Sequence, residues 1–145
     1  MSAHGLDVFD KTIQITDVWL KEIAADMGGD RQVAYHALGA VLRTMRDRMP
    51  MELAAHLGAQ LPLLVRGIYY DQWRPAEQPH KQRSVEGFLA EVEGRLGPMK
   101  PIDVEAATRA VLAALARHVT EGQVSKVRDA MPGEVRALWE GIEPR

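Results

Sequence analysis

Cysteine is absent from this sequence. That excludes thiolate catalysis, thiolate-ligated zinc, iron–sulfur clusters and disulfide stapling, and it permits a reducing compartment. Aromatic residues are scarce, at 6% of the chain, and no segment alternates apolar and polar residues as a half-buried strand would. Long apolar runs are missing too; none approaches the roughly 20 residues of a membrane-spanning helix. The opening stretch MSAHGLDVFDKT has neither the basic nor the apolar segment of a secretory signal. A cytoplasmic protein without membrane association is therefore expected. Excess charge of either sign is also lacking: 18 Lys and Arg face 20 Asp and Glu, which gives no general attraction for nucleic acid.

What the chain does contain is helical periodicity. Its 145 residues fit a single domain, 1–145, that can bury a core without a staple. Ile13, Leu20, Ile23 and Met27 recur at helical spacing until Gly28 and Gly29 end the run. Asp30 caps a second helix whose inward stripe is Leu38, Val41, Leu42, Met45 and Met49, with Arg43, Arg46, Asp47 and Arg48 expected on its solvent side. Pro50 opens a third helix with Leu53, Ala54 and Leu57 inward. Leu61-Pro62 opens a fourth, with Pro62 expected at the first helical position, where a missing N–H costs nothing. The segment RPAEQPHKQR, residues 74–83, is polar and carries two prolines, so a surface linker is predicted. Beyond it Ser84 caps Val85, Phe88, Leu89, Val92 and Leu96. Asp103 caps Ala107, Val111, Leu112, Leu115 and Val119. Thr120-x-x-Gln123 reads as a capping box, and Met131-Pro132 opens the last helix.

The two halves resemble each other. At a shift of 70 residues, Ala37, Ala40, Val41, Leu42, Pro62, Val65 and Arg66 meet Ala107, Ala110, Val111, Leu112, Pro132, Val135 and Arg136. At a shift of 69, Trp19-Leu20, Ile23 and Met27-Gly28 meet Phe88-Leu89, Val92 and Leu96-Gly97. The fold class that follows is all-α: two tandem repeats of about four helices, residues 8–73 and 84–140, packed into one bundle because neither half alone covers its apolar face.

Candidate functional residues are few. In register with AMPGEVRALWE of the second half, the stretch QLPLLVRGIYYDQWRP has its Pro, Val65, Arg66, Ile68 and Tyr69 as repeat skeleton; Tyr70 and Trp73 have no counterpart. On a helix starting at Pro62, Arg66, Tyr70 and Trp73 share a face, and with Arg74 they form the aromatic and guanidinium composition favoured at interaction hot spots. Cover for the linker or the seam between halves is the competing role for these rings. Five histidines, His4, His36, His56, His80 and His118, show no His-x₃-His or Glu-x-x-His spacing, so no metal and no cofactor are expected. Ser2, Ser84 and Ser125 lack a nucleophile-elbow context. Glu91 with Glu93 and Asp7 with Asp10 fit solvated helix faces. The basic residues Arg43, Arg46, Arg48, Arg66, Arg74, Lys81 and Arg83 are diluted by Asp47, Glu52, Asp71 and Glu77, so no nucleic-acid partner is expected.

The succession FDKTIQITDVWLKEIA, AYHALGAVLRTMRDRM, AAHLGAQLPLLVRGIYYDQWRP, FLAEV and ARHVTEGQVSKVRDAMPGEVRALW resembles the bacterial family of domain of unknown function 2267, over nearly the whole chain and most specifically in HLGAQLPLLVRGIYYDQWRP. The resemblance implies an all-helical, typically cytoplasmic protein, and carries no activity or catalytic residue to transfer. The functional expectation is a non-enzymatic helical module that binds a protein partner or associates with itself through Arg66, Tyr70, Trp73 and Arg74. The alternative is a small-ligand binder or enzyme that uses the groove between the repeats, with His36, His56, Arg66 and Tyr70 as its polar groups.

Overall fold

The computed structural model describes residues 5–98 and 102–142. Among them it contains eight α-helices, two 3₁₀ turns and no strand, so the protein is an all-α bundle. The first four helices are α1 (Asp7–Met27), α2 (Arg31–Arg48), α3 (Met51–Gln60) and α4 (Leu63–Tyr70). After the connecting segment come α5 (Val85–Leu96), α6 (Val104–His118), α7 (Glu121–Ala130) and α8 (Gly133–Arg136), the last continued by a 3₁₀ turn at Ala137–Trp139.

Local chemistry sets the boundaries. Side chains of Asp30, Ser84, Asp103 and Thr120 accept from the N–H groups of Val33, Gly87, Ala106 and Gln123, which satisfies donors that a helix start otherwise leaves open. Gly28 ends α1 in the left-handed region at φ 80°, a conformation that costs glycine nothing. Pro62 stands at the N-cap, one residue before the position expected from sequence; its carbonyl accepts from Arg66 N at 2.7 Å. The capping box at Thr120 forms only in half. Gln123 N reaches Thr120 Oγ1, but Thr120 N donates to Gln60 of α3, and Gln123 Oε1 accepts from that same Gln60. A neighbouring helix thus supplies what a local glutamine was expected to supply.

The halves correspond in order and in detail. Arg66 donates to the carbonyls of Ala59 (3.3 Å) and Leu61 (3.0 Å), tying the end of α3 to α4. Arg136 does the same for α7, donating to Asp129 (3.5 Å) and Met131 (3.1 Å). The halves also exchange helices: α2 lies on α5, and α6 lies on α1. Arg48 sits 5.2 Å over the Phe88 ring and pairs with Glu91 at 3.2 Å. At the corresponding positions of the other crossing, His118 stacks on Trp19 at 4.9 Å and lies 2.7 Å from Glu22. One residue further out the charges are exchanged, with Asp47 on Arg95 (2.6 Å) in one crossing and Arg117 on Asp26 (2.9 Å) in the other.

One continuous core runs through both halves, with Trp19, Ile23, Leu38, Leu42, Met45, Leu57, Tyr69, Phe88, Val92, Val111 and Leu115 among its buried members. Each fully buried large side chain contributes about 1.5–3 kcal/mol relative to exposure. At the outer end of α1, Thr12 and Thr16 take buried positions and Ile13 is only half-buried. Thr16 Oγ1 donates to Thr12 O, and Thr12 Oγ1 accepts from Leu64 N.

The largest departure from the sequence expectation concerns the end of α2. Arg46, Asp47 and Arg48 are 1%, 7% and 6% exposed, not on a solvated face. Helix α2 packs against α1, α4, α5 and α6 at once, so the face expected to meet water meets protein. The surface linker predicted for residues 74–83 lies at the surface and is hydrogen-bonded there. Gln78 Nε2 donates to the carbonyls of Arg46 and Met49 at the end of α2, and His80 N donates to Asp47 O at 2.7 Å. A 3₁₀ turn at Pro75–Glu77 bends the chain over it.

Candidate functional site in the cleft between the halves

Successive residues on a helix point about 100° apart, so three charged residues in a row at the end of α2 leave it in different directions, Arg46 toward α4 and Asp47 and Arg48 toward separate residues of α5. Arg46 turns toward the end of α4, where its Nη1 donates to Tyr69 O (2.7 Å) and Asp71 O (2.9 Å). Those carbonyls are acceptors that a helix end leaves without a partner. Asp47 holds Arg46 Nε with one oxygen (2.9 Å) and Arg95 Nη2 of α5 with the other (2.6 Å). Arg48 reaches Glu91, and Glu91 in turn accepts from Arg95 at 3.0 Å. The result is an unbroken chain of three guanidiniums and two carboxylates, Arg46–Asp47–Arg95–Glu91–Arg48. Charges buried this way are tolerated because each is both paired and hydrogen-bonded. One positive charge remains in excess.

Above this network the chain from Gln72 to His80 forms an outer wall and leaves an open cleft of about 640 Å³. Its floor shows Asp47 and Arg95, and its wall carries Gln72, Trp73, Arg74, Glu77 and His80. Arg74 is exposed, and among the described residues it pairs with no carboxylate. Trp73 is half-buried, with its indole N–H donated to Gln78 Oε1 at 3.1 Å. Tyr70 stacks on its other side at 5.5 Å. Gln72 has φ 62°, the only non-glycine residue in the left-handed region among those described.

Asp47, His80 and Glu91 each offer a ligand atom within 4.8 Å of the other two, the spacing of a metal site. The same Arg95 Nη2 bridges Asp47 and Glu91 at 2.6 and 3.0 Å, however. The guanidinium holds the place between those carboxylates that a cation would need, and the chemistry of the cluster is that of an ion-pair network.

Of the residues singled out from sequence, Trp73 and Arg74 line the cleft, while Arg66 and Tyr70 stand outside its lining. Arg66 is engaged with the carbonyl end of α3. Tyr70 lies against Gly58 of α3, where a Cβ would collide with its hydroxyl; in the second half these positions hold Arg128 and Glu140. The polar quartet of the alternative reading does not assemble. His36 belongs to a smaller cleft of about 230 Å³ with Tyr35, Arg43 and Asp71, whereas His56 is exposed on α3 beside Glu52 at 4.0 Å. His4 and Ser2 lie outside the described residues. Ser84 serves as a helix cap and Ser125 accepts from Arg128; neither hydrogen-bonds a histidine, so no nucleophile–base pair forms among the described serines. Tyr69 is structural: its hydroxyl donates to Ala54 O at 2.6 Å, and burial pushes it well above the usual phenol range.

Sequence reading missed Asp47, Gln72, Glu77, His80 and Arg95 as neighbours. A signal was present in the register of the halves: Arg46-Asp47-Arg48 corresponds to Ala116-Arg117-His118, which puts a buried guanidinium where the other half needs only a methyl group.

With the geometry of the cleft described, the comparison with known families is decisive for the chain's relationship. The model of the family described as uncharacterized conserved protein (DUF2267) matches residues 16–138. The chain belongs to the DUF2267 family. No curated protein matches it. The span shared with DUF2267 contains the whole cleft, from Arg46 to Arg95, and leaves out the first turns of α1 with Val8 and Phe9.

Proposed function

We propose that this DUF2267 protein is a non-catalytic binding module, and that it engages a protein partner through the cleft between its halves. The observation that carries the reading is the cleft itself: Trp73 and Arg74 open onto one concavity of about 640 Å³ whose floor is fixed by the Arg46–Asp47–Arg95–Glu91–Arg48 network. A rigid floor lowers the ordering cost of binding, and a stacked tryptophan beside an exposed guanidinium is the composition of an energetic anchor. Reaction chemistry has no comparable support, since among the described residues neither Ser84 nor Ser125 is paired with a histidine base. No described helix is long and apolar enough to cross a membrane, and the reading takes the partner to be cytoplasmic. The test is co-purification from the native cell with wild-type protein and an Arg74→Glu/His80→Ala variant whose melting is unchanged. A partner retained by the wild type and lost by the variant supports the reading. The same set of proteins on both removes the cleft from consideration.

A second reading, self-association, is favoured by a separate feature. Leu6, Val8, Phe9 and Ile15 around α1 and Leu63 and Leu64 at the start of α4 are all exposed, and the two groups meet where Leu64 N donates to Thr12 Oγ1. Exposed apolar surface of this kind marks an association face. Sedimentation of wild-type and Phe9→Asp proteins checks it: a dimer in the first and a monomer in the second is the expected pair of results, and a monomer in both rejects the reading.

A further inference from the structure

We infer that the cleft is selective for acidic protein segments, taking an Asp or Glu carboxylate between Arg74, Arg95 and His80 with the Gln72 amide as a neutral donor. The inference rests on the cleft being the recognition site, and it adds the chemistry of the occupant.

The two crossings of the bundle provide the comparison. Both place a basic side chain over an aromatic ring and a carboxylate beside it, Arg48 with Phe88 and Glu91 in one, His118 with Trp19 and Glu22 in the other. That much is packing. What differs is what the first crossing adds. Arg46 is a buried third guanidinium where the second crossing has Ala116. The network therefore holds three guanidiniums against two carboxylates, and all four carboxylate oxygens of Asp47 and Glu91 already face arginine nitrogens. Arg95 lines the cleft with its Nε and Nη2 engaged by those carboxylates, and its Nη1 makes no hydrogen bond among the described residues. Arg74 at the rim pairs with no carboxylate among the described residues. A guanidinium presents its donors in a planar fork that fits a carboxylate.

Gln72 is a second, independent pointer. The turn that follows α4 and the turn that follows α8 have the same hydrogen bond, Trp73 N to Tyr70 O at 3.2 Å and Ile142 N to Trp139 O at 3.1 Å. Each needs one residue at positive φ. The second turn uses Gly141 at φ 81°, and the first uses Gln72 at φ 62°. A glutamine where glycine is the unstrained choice puts an amide donor among the residues that line the cleft, where a bound carboxylate could accept from it.

Three carboxylates oppose an anion, Glu77 in the wall, Asp47 in the floor and Glu91 at 4.0 Å from His80, and Glu91, like Asp47, already faces arginine on both oxygens. Asp47 is compensated on both oxygens. Glu77 limits the site to an isolated carboxylate or two and disfavours a polyphosphate backbone, as does the net charge of -2. An acidic peptide therefore fits this cleft better than a nucleic acid.

The experiment uses the whole chain as bait for a random dodecapeptide library displayed on phage, with counter-selection on the Arg74→Glu/His80→Ala variant. Enrichment of Asp and Glu among cleft-dependent peptides is expected. The strongest such peptide, made synthetically, should lose about tenfold in affinity to Gln72→Gly protein and should not be displaced by short single-stranded DNA. Cleft-dependent peptides without acidic enrichment overturn the inference and leave the binding reading standing. Peptides that bind wild type and variant alike overturn both. Displacement by the DNA rejects the acidic-segment inference in favour of a nucleic-acid site.

Discussion

Asp47→Asn is the perturbation that most sharply separates a buried network from a decorated surface. The aspartate is 7% exposed, and its two oxygens hold Arg46 Nε at 2.9 Å and Arg95 Nη2 at 2.6 Å. Asparagine keeps one acceptor but turns an NH₂ group toward the other guanidinium, so one arginine meets a donor. Removing one partner from a buried pair costs about 3–5 kcal/mol. Arg46 retains two carbonyl partners, and Arg95, with its side chain 26% exposed, retains Glu91. The lower end, about 3 kcal/mol, is therefore expected. The molecule contains its own control: Asp26→Asn breaks the corresponding pair in the other crossing, where Asp26 and Arg117 side chains are 39% and 43% exposed. Exposed pairs contribute below about 1 kcal/mol. Urea unfolding followed by circular dichroism and by tryptophan fluorescence measures both, with coincident transitions establishing two-state behaviour. At constant slope the midpoint should fall by roughly 1–2 M urea for Asp47→Asn and by a small fraction of that for Asp26→Asn. Equal shifts for the two would refute the buried network, and with it the fixed floor of the cleft.

Further outcomes follow from individual contacts. Gly58→Ala drives a methyl into the Tyr70 hydroxyl and should destabilise by about 1–2 kcal/mol, whereas in a Tyr70→Ala background the same change should stabilise by up to about 1 kcal/mol through helix propensity; a thermal-melt cycle reads both. Gln72→Gly relieves the positive φ and should raise stability by about 0.5–1 kcal/mol in denaturant titration while weakening acidic-peptide binding; a loss of stability would show that the glutamine is there for packing. Arg66→Ala and Arg136→Ala each remove the ties to two carbonyls and should cost similar amounts, about 1 kcal/mol each, with a large inequality counting against equivalent roles. Tyr69, whose hydroxyl is raised by burial and secondarily by Tyr70, stays protonated in the fold. Because its folded value lies above its unfolded one, that contribution is complete below about pH 10 and is lost as pH rises further; phenolate absorbance from Tyr69 should appear only with unfolding, which comparison with Tyr69→Phe assigns.

The helices were legible in the sequence wherever one apolar stripe and one capping residue decide the matter, as at Asp30, Ser84 and Asp103. Register between the halves was legible for the same reason: Pro62 with Pro132 and Arg66 with Arg136 do identical local work. What could not be read was the second covered face of α2. A stripe predicts which side of a helix is buried first, not whether later elements cover the rest. Arg46, Asp47 and Arg48 are buried because α5 and the 74–83 segment reach them from far along the chain. The same limit explains the divided fate of the aromatic patch. Arg66, Tyr70 and Trp73 would share one side of a continuous helix, but α4 ends at Tyr70, the end of α3 absorbs Arg66 and Gly58 leaves room for Tyr70. Only Trp73, carried past the helix end by the turn at Gln72, reaches the cleft with Arg74.

Photo-crosslinking in the native cell tests the central claim, recognition through the cleft, most directly. A benzoylphenylalanine placed at position 74 on the rim is compared with one at exposed position 126 on α7. Recognition through the cleft predicts a discrete protein adduct from position 74 that is absent from position 126 and that disappears when His80→Ala and Gln72→Gly are added. Adducts common to both positions, or none at position 74, would contradict it.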